Sequence, residues 1–371
     1  MIEVHLEKWV DKGMCLGHYA GLPVFVQGGL PNEQVQVEIT KITSKYRLGF
    51  VKNLLGNSSK KRIESDCSHF GECGGCQFRQ IEYSHELELK ESALQRAFPG
   101  NLVEVLYGSA KEYRNSVKWN SDGYRLGFFK SNSNDLIPID KCQNLPQSLQ
   151  PKELLKNSKL IKTKLNQKEW KFRWNGMEIF PYQKVSQNMT IGDKIFYLPK
   201  NSFWQSNRFL LELWLEKVGE SLNDCKSLSE FFCGVGTIGL GVPQGFDKYL
   251  GIEGDGNMIE AAKKNAYNMN KNHYEFEQMD LYSKSLGLDW KKKLLCDGMV
   301  LNPPRNGLSS WIIETVGFAR PKILVYSSCH LATLKRDWEK IKKFGYTITK
   351  LILFDFFPRT AHFEILLVAV R

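Results

Sequence analysis

The sequence contains no long apolar stretch. None of its 371 residues belongs to a run that reaches the roughly 18 consecutive apolar residues of a membrane-spanning helix. The segment Met1 to His5 has no basic region followed by an apolar core, so no secretory signal peptide is expected. Both absences predict a cytosolic protein. Thiols stay reduced in that compartment, so the nine cysteines are expected to bind metal or catalyse rather than form disulfides.

Acidic residues are also in deficit. The 40 Asp and Glu residues face 51 Lys and Arg residues, which leaves a net charge of +11. Such an excess suits a polyanionic partner such as nucleic acid, although a merely basic soluble protein is the alternative, and the charge says nothing about fold. The length predicts two or three domains, and a hydrophobic content of 42% is enough for their cores.

Residues 1–62 carry the pattern of short β-strands. Apolar and polar residues alternate in Val4–Val10 and Gln34–Ile39, and Leu22–Val26 is a short apolar run followed by a glycine turn. Several short strands in about 60 residues predict a small barrel of the oligonucleotide-binding type. Its lysines and arginines would contact phosphates, or else form a solvated basic face. The order of the pieces resembles the RNA-binding module called TRAM.

Residues 63–200 begin with three clustered cysteines. Cys67, Cys73 and Cys76 have the spacing Cys-x5-Cys-x2-Cys, which in a reduced compartment indicates a metal site. Cys142 is the candidate fourth ligand, because no other cysteine lies between Cys76 and Cys225. Four thiolates suit zinc or an iron–sulfur cluster, and the spacing leaves both open. A helix is predicted over 84–98, and the remainder of this central segment is expected to be rich in strands.

Residues 201–371 alternate between strand and helix patterns. The strands are predicted at 227–232, 248–253, 274–279, 298–302, 322–327, 347–354 and 362–370, with helices that include 257–270 and 331–344. The loop between the last two strands is too short for a crossover helix, so these strands should pair antiparallel. This pattern predicts a multidomain α/β protein whose C-terminal domain is a doubly wound, Rossmann-like sheet.

A glycine loop follows the first of these strands. Gly234, Gly236 and Gly239 have the Gly-x-Gly-x-x-Gly spacing, and Glu253 lies where an acid would accept hydrogen bonds from a ribose. The loop indicates an adenosine-containing cofactor and leaves NAD and S-adenosylmethionine open. A rigid Asn302-Pro303-Pro304 strand end and the strand order favour a methyltransferase over a nicotinamide-dependent oxidoreductase.

Cys329 ends a buried apolar run, where open α/β sheets place their chemistry. A free cysteine there is as often a small buried hydrophobe. As a nucleophile, its thiolate would add to an electrophilic carbon, with Arg305 or Lys335 favouring ionisation.

Taken together, these pieces resemble the RNA uracil-5-methyltransferase family in its form with a TRAM domain and an iron–sulfur cluster. The resemblance rests on the barrel, the four cysteines, Phe203 to Asn207, the loop from Phe232 to Gly236, Asn302 to Arg305, Ser328 to His330, and His362 to Glu364. It implies a [4Fe–4S] cluster and methylation of uridine C5 in RNA by S-adenosylmethionine. The implied nucleophile is Cys329 and the implied base Glu364. The implied cofactor-binding residues are Gln205, Phe232, Gly234, Gly236, Thr237, Glu253, Asp280 and Asn302.

The implied substrate is large-subunit (23S) ribosomal RNA, with transfer RNA as the alternative, and the protein is expected to act as a monomer. The family usually carries Asp at position 302 and Asn at position 330, where this sequence has Asn302 and His330. Asn302 keeps its hydrogen-bonding groups but lacks the charge, and His330 would transfer a proton or fill space. A catalytically weak, RNA-binding iron–sulfur protein is therefore the second hypothesis.

Overall fold

The computed structural model of the chain describes residues 1–10, 13–56, 59–156, 168–282 and 288–371. These residues form a closed barrel, a five-stranded sheet, a two-stranded hairpin and an eight-stranded sheet. No helix in these ranges is long and apolar enough to cross a bilayer.

The N-terminal strands close into the barrel that their alternation predicted. They are β1 (Ile2–Val10), β2 (Met14–Tyr19), β3 (Leu22–Gln27), β4 (Gln34–Ile42) and β5 (Arg47–Leu55), in the order β1-β2-β3-β5-β4. Their inward-facing side chains, such as Val4, Leu6, Val35 and Val37, are buried with 0–1% of their surface exposed. Alternate residues of a strand point to opposite faces, so this burial follows directly from the apolar–polar alternation.

The central segment is strand-rich, as predicted. A helix, α1 (Tyr83–Ala97), comes first. It is followed by β6 (Val103–Leu106), β7 (Ser116–Ser121), β8 (Leu126–Phe129), β9 (Leu136–Pro138), α2 (Pro151–Lys156), β10 (Glu169–Trp174), β11 (Ile179–Phe180), β12 (Gln187–Ile191) and β13 (Lys194–Leu198). The five-stranded sheet has the order β11-β10-β7-β8-β9, and β12 pairs with β13 as the hairpin.

The C-terminal segment has the seven predicted strands, with ends that agree to within about two residues. Its elements are α3 (Leu211–Ser221), β14 (Ser227–Phe231), α4 (Thr237–Gly241), β15 (Lys248–Glu253), α5 (Gly256–Asn268), β16 (Glu275–Gln278), α6 (Leu288–Lys293), β17 (Gly298–Leu301), α7 (Ser310–Ala319), β18 (Ile323–Ser328), α8 (Leu331–Ile341), β19 (Thr347–Phe354) and β20 (Glu364–Val370). The sheet order is β16-β15-β14-β17-β18-β20-β19-β6. Strand β20 runs antiparallel to both β18 and β19, so the predicted antiparallel pair is confirmed.

The eighth strand of this sheet comes from the central segment. Strand β6 pairs in parallel with β19, with Val103 opposite Leu351 and Leu106 opposite Phe354. Strand β19 would otherwise be an edge with unpaired backbone groups. The sheet therefore extends beyond residues 201–371, and helix α1, which leads into β6, packs against α8 and the barrel strand β1.

A fully buried cluster of charges connects α1 to the loop after β19. Lys90 Nζ donates to Glu86 Oε1 and Asp355 Oδ1, each at 2.7 Å, and all three side chains are completely buried. Tyr83 donates to the other oxygen of Asp355 at 2.7 Å. Arg359 Nη1 lies 3.7 Å from Glu86 Oε2, so two cations face two carboxylates. Because the charges balance, each ion remains compensated away from water.

Replacing Lys90 by Met should therefore destabilise the protein strongly. The substitution leaves two carboxylates buried without their shared cation, and breaking such a group costs about 3–5 kcal/mol. Urea unfolding monitored by tryptophan fluorescence measures the loss. Lys263→Met is the control, because Lys263 pairs with Glu260 in solvent and such pairs contribute at most about 1 kcal/mol. Equal effects of the two substitutions would contradict this interpretation.

Candidate active site and cysteine cavity

The carboxyl ends of five adjacent parallel strands, of which β16 is the outermost, form one edge of the large sheet. Strands β15, β14, β17 and β18 are neighbours in that order, and each pair is parallel. Residues that end or directly follow these strands therefore lie along the same edge, among them Glu253, Asn302 and Cys329. Strand β20 is antiparallel, so its first residue, Glu364, lies at this edge too, beside the Ser328–Ile365 pair. The sheet thus brings together side chains that are far apart in sequence.

Cys329 and Glu364 lie side by side at this edge. Glu364 is buried, with 4% of its surface exposed, and its Oε1 accepts a hydrogen bond from Ser327 Oγ at 3.0 Å. Burial raises the pKa of the Glu364 carboxyl to about 7, which the hydrogen bond from Ser327 only partly opposes. A carboxylate with this pKa can accept a proton near neutral pH.

The thiol of Cys329 is half-buried, and burial raises its pKa above the ordinary value. The negative charge of Glu364 adds to the rise, whereas Arg305 lowers the pKa through its charge and a hydrogen bond. Arg305 is thus a cation that acts on the thiol, as the sequence suggested, but burial outweighs it. Lys335 is exposed on α8. The free thiol is therefore mostly protonated at neutral pH.

Arg305 also approaches the imidazole of His362. Its Nη2 lies 3.2 Å from Nε2 and 3.4 Å from Nδ1 of that ring. The His362 ring also contacts an aromatic side chain, since Phe357 and His362 make an edge-to-face contact with ring centroids 6.3 Å apart. Arg305 acts on Cys329 and contacts His362, two residues before Glu364, so it links the loop after β17 to the loop before β20.

His330 has a structural role that the sequence left open. It is the N-cap of α8, and its Nδ1 accepts a hydrogen bond from the backbone N–H of Thr333 at 3.4 Å. The backbone N–H of His330 donates to Ser328 Oγ at 3.2 Å. Capping occupies one ring nitrogen and fixes the turn that presents Cys329.

The glycine loop adopts backbone conformations that favour glycine. Gly234 and Gly236 have φ values of +56° and +81°, and Phe232 also has a positive φ of +63°. Space beside Gly234 is open where a Cβ would stand, whereas a Cβ on Gly239 would overlap the ring of Tyr249. The first glycine thus leaves room for a ligand, and the third allows α4 to pack closely on β15.

The carboxylate of Glu253 is held against this loop. Its Oε2 accepts from Gly234 N at 3.1 Å, and its Oε1 accepts from Gly254 N at 2.7 Å and from Asp255 N at 3.1 Å. Three backbone donors keep the carboxylate in one place. A carboxylate has about four acceptor positions, so hydroxyl groups of a ligand beside the loop can still donate to it.

The structure also gives the contacts of the remaining predicted cofactor-binding residues. Phe232 packs on Tyr282, with ring centroids 6.0 Å apart, and Asp280 Oδ1 accepts from Tyr282 N at 2.9 Å. Thr237 begins α4, directly after the loop, and Asn302 N donates to Phe231 O at 3.3 Å. Gln205 is buried, and its backbone carbonyl accepts from Asn115 Nδ2 at 2.9 Å, which ties it to the central segment.

Two residues of this region were not predicted. Ser327 orients the Glu364 carboxylate, and Tyr282 covers Phe232 and donates to Gly307 O at 3.1 Å. A serine at the end of a buried strand is the available sequence signal for the first. The contact of Tyr282 depends on a loop conformation and has no local signal.

The four cysteines predicted as metal ligands line a single cavity of about 240 Å³. Cys67, Cys73, Cys76 and Cys142 surround it, together with Arg79 and Arg114. Among the described residues, no three His, Cys, Asp or Glu side chains form a group that could hold one metal ion. The four thiols therefore surround the cavity and do not converge on the position of a single metal ion.

Hydrogen-bond donors point at two of these sulfurs. Gly75 N donates to Cys73 Sγ, and Asn144 Nδ2 donates to Cys76 Sγ, each at 3.4 Å. Arg79 orients Asn144, because its Nη2 donates to Asn144 Oδ1. Burial raises the pKa of Cys142 to about 11 and that of Cys73 above its ordinary value, so a metal would have to displace protons to bind.

Comparison with known proteins gives consistent results along the whole chain. A family model described as tRNA (Uracil-5-)-methyltransferase matches residues 173–370, and a TRAM domain model matches residues 1–51. An uncharacterized RNA methyltransferase of Leptospira interrogans is 30% identical over 387 residues, covering 96% of this chain and 92% of its own length. The 23S rRNA (uracil(1939)-C(5))-methyltransferase RlmD of Haemophilus parainfluenzae is 27% identical, with coverage of 95% and 92%.

A solved structure has the same overall fold. It is the tRNA (uracil-54, C5)-methyltransferase of Pyrococcus abyssi in complex with S-adenosyl-L-homocysteine, with a TM-score of 0.76, 20% identity and full coverage of both chains. The family match also decides the question that the glycine loop left open, in favour of a methyltransferase over an oxidoreductase. The chain belongs to the RNA (uracil-5-)-methyltransferase family.

Proposed function

We propose that this protein methylates C5 of a specific uridine in RNA through a covalent adduct between Cys329 and C6 of the uracil. The observation that carries the proposal is the pairing of Cys329 with the buried Glu364 at the sheet edge that also bears the glycine loop. A nucleophile and a base beside an adenosine pocket are what this reaction requires.

Uracil C5 is too weak a nucleophile to accept a methyl group unaided. The Cys329 thiolate adds to C6, which makes the C6–S bond and gives C5 the electron density of an enolate. When bound, S-adenosylmethionine would supply an electrophilic methyl group to C5 and would leave as S-adenosylhomocysteine. Glu364 then removes the proton from C5, and the electron pair of the C5–H bond forms the C5=C6 double bond and expels the Cys329 thiolate. Loss of the proton from Glu364 to solvent restores the base.

The glycine loop supports S-adenosylmethionine as the methyl donor. Open space beside Gly234 and the fixed Glu253 carboxylate suit an adenosine ribose. Phe232 and Tyr282 offer aromatic surface beside it. By resemblance, the side chains that complete the pocket are Gln205, Thr237, Asp280 and Asn302. Their role is to hold the donor with its methyl group toward the uracil beside Cys329.

We also propose that the cysteine cavity holds a [4Fe–4S] cluster. Four thiols around about 240 Å³ suit a group larger than one ion, and two arginines offset the charge of the thiolates. Donors to Cys73 and Cys76 are of the kind that stabilise sulfur ligands. The ligands would be Cys67, Cys73, Cys76 and Cys142. The role proposed for the cluster is structural, because it would join the segment from Cys67 to Cys76, here called the cysteine loop, to Cys142 after β9.

The cluster has a direct test. Protein purified without oxygen is expected to contain about four iron and four acid-labile sulfide per chain. Cys142→Ser should lose most of both, whereas Cys296→Ser should keep them, because Cys296 lies outside the cavity. Metal and sulfide analysis measures the content. Zinc without sulfide in the unaltered protein would contradict the proposal.

The proposed substrate is large-subunit ribosomal RNA. Several relatives named as 23S rRNA (uracil(1939)-C(5))-methyltransferases match more than nine-tenths of this chain, and the net charge of +11 suits a polyanion. The barrel and the cysteine loop would contact phosphates while the target base is flipped into the site, which costs a few kcal/mol.

Transfer of labelled methyl groups tests the function. Unmodified 23S rRNA and tRNA transcripts are incubated with the protein and labelled S-adenosylmethionine, and 5-methyluridine is mapped in each. Incorporation at one uridine of the 23S transcript is expected. Labelling of tRNA instead would change the substrate. Binding to both RNAs without any transfer would favour the catalytically weak RNA-binding protein that Asn302 and His330 suggested.

A further inference from the structure

The loop from residue 355 to 363, between β19 and β20, delivers the proposed base. It contains Phe357 and His362, and Glu364 follows it directly. A base must lie within about 2.6–3.2 Å of the proton it removes. The position of Glu364 therefore depends on what holds this loop. Leu106, Tyr113 and Asn207 form hydrogen bonds with its first half, and two further attachments come from parts of the chain more than 270 residues away.

One attachment is to helix α1. Arg359 N donates to Glu86 Oε1 at 2.8 Å, and Arg359 Nη1 donates to Ile81 O at 2.8 Å. Arg359 has a φ of +67°, a left-handed conformation that is strained for a residue with a side chain. Such strain persists only where the surroundings hold it. The loop is thus kept in one shape by the buried charges around Glu86.

The second attachment is to the residue after Cys76. Gln77 N donates to Arg359 O at 2.9 Å, and Gln77 Oε1 accepts from Ala361 N at 3.1 Å. Two hydrogen bonds from one residue thus span the segment from Arg359 to Ala361. The barrel meets the same point, because a Cβ on Gly13 would stand 2.9 Å from Cβ and Cγ of Gln77. The Gln77 side chain thus contacts the barrel, the cysteine loop and the loop of residues 355–363 that precedes Glu364.

We propose that Gln77 is a positioning residue for the proton-removal step. Its side chain holds Ala361, three residues before Glu364, and so aims the carboxylate at C5 of the uracil. Its side chain also donates to Gly74 O at 3.3 Å, and among the described residues no hydrogen bond joins it to Cys329 or to the glycine loop. The proposal rests on the proposed covalent mechanism, in which the base acts after the C6–S bond has formed.

This order of steps gives Gln77 a distinctive signature. If the loop loosens, Cys329 still adds and C5 is still methylated, but the C5 proton leaves slowly and the C6–S bond persists. A misplacement of about 1 Å can slow a step by roughly 100-fold. A defect in folding or RNA binding would instead lower the amount of adduct.

The test compares three variants in the full-length protein. Gln77→Ala removes the acceptor for Ala361 N, Gln77→Glu keeps an acceptor oxygen, and Gln80→Ala is the matched control. Gln80 lies in the same segment and is also half-buried, and its side-chain oxygen has no hydrogen-bond partner among the described residues. For each variant kcat, KM for RNA, Tm and the denaturation-resistant protein–RNA adduct are measured.

Gln77→Ala is expected to lower kcat by roughly 10- to 100-fold with little change in Tm, to lower KM for RNA along with kcat because release of the adduct becomes limiting, and to increase the adduct several-fold. Gln77→Glu should restore most of kcat, and Gln80→Ala should match the unaltered protein. An unchanged kcat in Gln77→Ala, or a lower kcat without added adduct, would overturn the proposal. Failure of Glu364→Gln to trap adduct would instead overturn the covalent mechanism, so the two failures are distinguishable.

Discussion

The Cys329→Ala protein is expected to transfer no methyl group to RNA. Without the thiolate, C5 of the uracil never becomes nucleophilic, and we expect kcat/KM to fall by at least roughly 1,000-fold. The assay is incorporation of labelled methyl groups into an unmodified transcript. The adduct seen on denaturing gels should disappear as well, because no C6–S bond can form.

A second cysteine provides the matched control. Cys296 is also half-buried, but it precedes β17 and so lies at the opposite end of the sheet from Cys329. Cys296→Ala should therefore retain transfer. Binding of S-adenosylmethionine by Cys329→Ala, measured by calorimetry, should also persist, because the glycine loop is unchanged. Substantial turnover by Cys329→Ala would rule out the covalent mechanism.

The Glu364→Gln protein is expected to form the adduct and fail to release it. Glutamine keeps the size of the side chain and a partner for Ser327, but it cannot accept the C5 proton. Loss of a general base costs roughly 100- to 10,000-fold in turnover. A methylated protein–RNA adduct should accumulate to nearly one per enzyme. Normal turnover by Glu364→Gln would assign the base to another group.

The pH dependence of turnover and of adduct formation distinguishes the Glu364 carboxyl from the Cys329 thiol. Because the pKa of Glu364 is raised to about 7, its base form is lost as pH falls through 7, and turnover of the unaltered protein should fall with it. The raised pKa of Cys329 acts in the same direction, since the thiolate also grows with pH. In Glu364→Gln the rate of adduct formation should depend on pH only through ionisation of the Cys329 thiol. If this rate had the same pH profile as turnover of the unaltered protein, the assignment of Glu364 as the base would be contradicted.

Much of the candidate site was visible in the sequence because its residues follow short local patterns. Asn302 ends a predicted strand, Gly234 and Cys329 each follow one by two residues, and parallel strands align their carboxyl ends. The orientation of Glu364 was not visible, since it depends on Ser327, 37 residues earlier, and on a loop held by Gln77 and Glu86. The cap made by His330 needed the turn geometry before its role could be assigned.

By itself, the sequence determined the barrel, the seven C-terminal strands, the glycine loop and the four cysteines, because periodicity and motif spacing are local properties of the chain. Only the tertiary structure decided that β6 completes the large sheet, that the cysteines surround a cavity, and that the residue after Cys76 holds the loop before Glu364. These features arise from contacts between distant segments, which depend on packing and buried hydrogen bonds rather than on local pattern.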